Sequence, residues 1–190
     1  MTLYSFVLFA HVTAVLVLFA CLSLETLSLF YLRRASTLTG VQLWIEPVPG
    51  LSAVALGSLL VILLSGIYLT IQMSGFGLAW PKVSVGAFLL MAPLGAMTGR
   101  RMRAIRHASA GAKVINSDLL GRLQDRFLKV SLSIRIVVFL GILLLMAAQP
   151  ELWESISVVA ASVVLGLLSS LLSWRRGGSL SAPSADLTSR

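Results

Sequence analysis

Four residues could do chemistry in a chain otherwise built for lipid: His11, Glu25, Lys82 and Arg135. Neutral imidazole is an axial ligand for haem iron and a ligand for copper, so His11 is the candidate metal and cofactor ligand. Its plainer reading is a buried imidazole hydrogen-bonded to a hydroxyl or carbonyl on a neighbouring helix. Glu25 and Arg135 carry opposite charges at similar depth in two apolar segments, which predicts an intramembrane ion pair. Such a pair either locks two helices together or lies on a proton or ion pathway. Lys82 follows Pro81 where a helix is predicted to start, and reads either as an interfacial amine reaching for phosphate or as an inward-facing amine near the level of His11.

The first segment, FAHVTAVLVLFACLSLETLSLF over residues 9–30, carries two of the four. His11 and Glu25 lie fourteen residues apart, which in a helix leaves them about 40° apart around the axis and roughly 21 Å apart along it. They share a face through Ala14, Leu18 and Cys21 without touching. Lipid disfavours both groups, so that face is predicted to point into a bundle.

The elements that position these residues follow from composition. Of the 190 residues 57% are hydrophobic and 12% charged, against about 25% charged in an average soluble domain. The apolar residues form long runs almost free of charge, the pattern of membrane-spanning helices. Five spans are predicted at about 3–32, 51–73, 80–99, 130–149 and 152–174, an all-α bundle forming one domain over 1–174. The start MTLYSFVLFA lacks a basic n-region, which predicts an uncleaved first helix. Gln149, Pro150 and Glu151 predict a tight reversal between the last two spans. Residues 117–129 predict an amphipathic connector: Ser117 caps it, Leu119, Leu120, Leu123 and Phe127 form one face, and Arg122, Asp125, Arg126 and Lys129 form the other. The tail, 175–190, is polar and predicted to be disordered.

The net charge of +8 sits at the ends of the apolar runs. Arg33 and Arg34 follow span 1. Arg100, Arg101, Arg103, Arg106, Lys113, Arg122, Arg126 and Lys129 lie between spans 3 and 4, and Arg175 and Arg176 follow span 5. With five spans all of these share one side, so the positive-inside rule predicts an outside N-terminus and a cytoplasmic C-terminus. The charge then serves orientation beside anionic lipid rather than nucleic acid. Small residues, Ala53 and Gly57, Gly95 and Gly99, and Ser162, Gly166 and Ser170, predict ordinary close helix packing. His107 reads as a solvated loop residue among arginines, and the scattered methionines as packing residues without copper-like spacing.

Several classes are excluded. Cys21 is the single cysteine, so there is no internal disulfide, and no Cys/His cluster has zinc or iron–sulfur spacing. Walker, dinucleotide, nucleophile-elbow and His-Glu-x-x-His motifs are absent.

Three stretches carry a resemblance: AHVTAVLVLFA in span 1, GLAWPKVSVGAFLLMAPLGAMTGRRMR in span 3 and LLLMAAQPEL at the end of span 4. Through most of residues 3–174 the chain resembles a family of predicted bacterial integral membrane proteins of unknown function. More distantly, the early His11 and the Trp-x-Lys of Trp80 to Lys82 look like the four-helix membrane protoporphyrinogen oxidase and the copper-resistance D-type membrane proteins. That resemblance implies haem b at His11, with Lys82 beside a propionate or substrate carboxylate, in a bacterial cytoplasmic membrane. The chain departs from it in placing Pro93, Leu94 and Gly95, and no histidine, in later span 3, and in adding a fifth span. Function therefore divides between a haem-binding redox protein and a small transport, accessory or scaffold subunit, alone or with another copy or membrane subunit, with Glu25–Arg135 as its polar element.

Overall fold

The computed structural model describes residues 2–35, 37–73, 77–110, 121, 123 and 125–175. Among them the ordered elements are all helices: α1 Leu3–Arg34, α2 Leu38–Ile45, α3 Val48–Met73, α4 Ala79–Ala110, α5 Arg126–Ala148 and α6 Leu152–Arg175. Five stretches are long and apolar enough to cross a membrane, with α2 and α3 together supplying the second. Leu3, Phe6, Phe9 and Leu16 on α1 are each more than 60% exposed, as lipid-facing residues are.

Local chemistry sets the ends. Thr2 and Thr37 cap α1 and α2 by accepting from the amides of Ser5 and Gly40, and Asp125 accepts from the Phe127 amide at 2.9 Å to start α5. Such caps satisfy amides that have no partner in the first turn. The predicted reversal is present: Gln149 ends α5 in the left-handed region, φ 47°, and its amide donates to the Leu145 carbonyl.

Two boundaries differ from expectation. Residues 126–129, assigned to the connector, are the first turn of α5, which Asp125 caps. Ser117, Leu119, Leu120 and Arg122 lie outside the described residues, as do residues 176–190 of the tail. Helix α4 runs eleven residues past its predicted span, so the exposed His107 is in its last turn rather than in a loop.

The helices pack as two groups. Helix α1 lies along α3, α5 packs against α4 and α6, and the groups meet only sparsely, along α2–α4, α3–α4 and α1–α5. Helix α5 is the most enclosed span. Its tight approach to α6 depends on missing side chains: a Cβ on Gly166 would stand 2.8 Å from the Ile134 Cα, and one on Gly141 would strike Ser162. One apolar cluster at the centre joins Leu18, Leu22, Ile62, Phe88, Val138 and Phe139. A second lies at the end rich in arginine, called here the basic end, where α2 tucks Val41 and Ile45 against Leu32, Met102 and Ile105.

Candidate functional site

Glu25 and Arg135 meet. Helix α1 turns His11, Ala14, Leu18, Cys21 and Glu25 to one buried face, and α5 brings Arg135 to it from the other group. Arg135 Nη1 donates to Glu25 Oε2 at 2.8 Å, with Glu25 6% and Arg135 7% exposed. Withdrawing either charge from water costs several kcal/mol, which the partner offsets only in part, so both must be present together. One turn away, the Thr98 and Ser131 hydroxyls lie 2.8 Å apart and both reach the Leu94 carbonyl, joining α4 to α5.

The pair forms the back of a cleft. A cavity of about 400 Å³ opens between α3 and α4, with Glu25 and Arg135 inside, Ala55, Leu59 and Met91 along its apolar walls and Arg103 at the basic end. Ala53 and Leu56 on α3, and Ala92 and Ala96 on α4, also line it and are exposed, so the cleft opens sideways between the two helices. A smaller void of about 10 Å³, bordered by Glu25, Ser52 and Thr98, adjoins it and approaches the room needed for one water.

Gly95 shapes the back wall. A Cβ there would sit 3.6 Å from Arg135 Cζ, Nε and Nη2, so the guanidinium lies flat over bare backbone. Gly99 also lines the cleft, and a Cβ on it or on Gly57 would meet nothing within 4 Å. Gly57 and Gly99 thus do not make the close packing expected of them, whereas Gly166 does, together with Gly141. The two groups of helices touch too sparsely along α3–α4 to use it.

His11 and Lys82 are not brought together. His11 is 8% exposed, and its Nδ1 lies 2.8 Å from Ser65 Oγ on α3. Ser65 also donates to the Val61 carbonyl; with its proton there, its oxygen accepts from Nδ1–H in the tautomer whose basic nitrogen is Nε2. The ring edge lies against Gly66, where a Cβ would stand 3.3 Å from Cε1. Lys82 is exposed in the first turn of α4, outside the main packing partners of α1. Neither cavity is lined by His11 or Lys82. Among the described residues no three His, Cys, Asp or Glu side chains gather as a metal site.

Two residues that position His11, Ser65 and Gly66, were not singled out from the sequence, and neither was the cleft. The site defines a class: an all-helical protein with five helices able to span a membrane and a charged, laterally open cleft. Comparison of the chain with protein families, curated proteins and solved structures gives no match.

Proposed function

We propose that the chain is a small multi-pass binding protein of the transport or accessory class, whose working part is the cleft between α3 and α4. The observation that carries this reading is the buried Glu25–Arg135 pair exposed to a cavity of about 400 Å³, a volume within the range of ligand sites. A pair that only locked helices would be sealed by side chains. The arginine-rich end is cytoplasmic and the N-terminus outside, in a bacterial cytoplasmic membrane.

Thiol labelling tests the cleft. Ala53→Cys, Ala96→Cys and Gly99→Cys should react with a membrane-impermeant maleimide added from the side of Arg103, with Gly99→Cys, about one turn nearer Arg103 than Ala96, the faster of the two on α4. Unreactive thiols at all three positions would reduce Glu25–Arg135 to a helix lock.

Haem at His11 is a second reading, supported by the hydrogen bond to Nδ1, since that bond leaves Nε2 as the basic nitrogen. An absorbance spectrum of purified protein, oxidised and reduced, decides it: a Soret band lost in His11→Ala would support haem, and colourless protein from haem-replete cells would remove it.

A further inference from the structure

Arg135 has more hydrogen-bonding capacity than the protein uses. A guanidinium carries five N–H donors, and among the described residues only Nη1 has a partner, Glu25. Its Nε and Nη2 lie over Gly95, itself a lining residue of the cleft, with no side chain between. That Nε–Nη2 edge is the fork that matches two oxygens of a phosphate or carboxylate. Neither nitrogen is among the sealed donors without a partner, so both keep access to the cleft, and Glu25 neutralises the charge without filling the fork.

The surroundings narrow the ligand. Glu25 and Arg135 cancel, so Arg103 at the basic end leaves the cleft net positive and suited to an anion. Ala53, Leu56, Ala92 and Ala96 make its lips apolar, and they face outward from the bundle. A small soluble anion gains nothing from apolar lips opening sideways, whereas an amphiphile does. Resting on the reading of the cleft as a ligand site, we propose that it binds an anionic phospholipid, with the phosphate on the free edge of Arg135 and the chains leaving through the seam between α3 and α4.

The double variant Glu25→Gln, Arg135→Met separates this from a structural role. It removes both charges of the pair together, so no unpaired charge is left buried, and it removes the donor edge. Gly86→Ala on α4, where a Cβ meets nothing within 4 Å, is the control. The experiment is native mass spectrometry of the purified full chain titrated with phosphatidylglycerol, diacylglycerol, which has the same chains and no phosphate, or inorganic phosphate. Wild type and Gly86→Ala should bind phosphatidylglycerol about tenfold more tightly than diacylglycerol, the value of one charge-assisted hydrogen bond. Glu25→Gln, Arg135→Met, with a melting temperature close to that of wild type, should lose that preference. Equal binding of the two lipids, or a preference that survives in the double variant, overturns the proposal. Binding of inorganic phosphate without lipid preference also overturns it while leaving the cleft a ligand site. No binding of any probe, with Ala96→Cys unreactive, overturns both.

Discussion

At the scale of single residues, the Glu25–Arg135 pair makes the sharpest prediction. Arg135→Met leaves a buried carboxylate without its partner and should cost about 3 kcal/mol or more, whereas the double variant Glu25→Gln, Arg135→Met should recover most of it. Thermal unfolding in detergent reads both. A single variant as stable as wild type would mean that water in the cleft already solvates the remaining charge. Ser65→Ala should cost about 1–2 kcal/mol, by leaving His11 Nδ1 without an acceptor, and the loss should be small in a His11→Ala background. The Glu25–Arg135 pairing was legible in the sequence because only a partner of opposite charge makes either residue tolerable in lipid. The partner of His11 was not, because serine is unremarkable in a membrane helix and many could have served. Which one did so depended on the register between α1 and α3.

Helix contacts test differently. Gly166→Ala drives a methyl to 2.8 Å from the Ile134 Cα, and backbone cannot turn aside as a side chain can. Helices α5 and α6 must separate, at about 1–3 kcal/mol, while Gly57→Ala, with open space around it, should stabilise α3 by about 0.5–1 kcal/mol. Equal effects of the two substitutions would show that α5 and α6 do not approach as described. Gln149 at φ 47° occupies a position that glycine takes without steric cost, so Gln149→Gly should raise stability by about 0.5 kcal/mol. The existence and order of the long helices could be read from apolar runs, and the reversal from Gln149, Pro150 and Glu151. Ends were less legible: α4 continues to Ala110 through a basic stretch that hydropathy alone stops at its first arginines. Helix α2 was passed over because eight residues cannot span, although Val41 and Ile45 at 0% and 2% exposure anchor the basic end.

For the whole molecule, a reporter fused after residue 175 should be active only when placed in the cytoplasm, and activity outside would reverse the proposed orientation. Charge placement made that prediction, and hydropathy made the five spans, because both depend on the solvent rather than on neighbouring helices. The inward face of α1 was also determined by the sequence alone, since His11 and Glu25 have one shared face and lipid rejects both. Tertiary structure decided the rest. Ala53, Gly57, Gly95, Gly99 and Gly166 look alike as small residues in apolar helices, yet Gly166 closes a seam and Gly95 bares a guanidinium at the back of an opening. A missing side chain permits close approach but does not choose the neighbour. That choice follows from how α1 with α3, and α5 with α4 and α6, divide the bundle and leave a gap where the two groups meet.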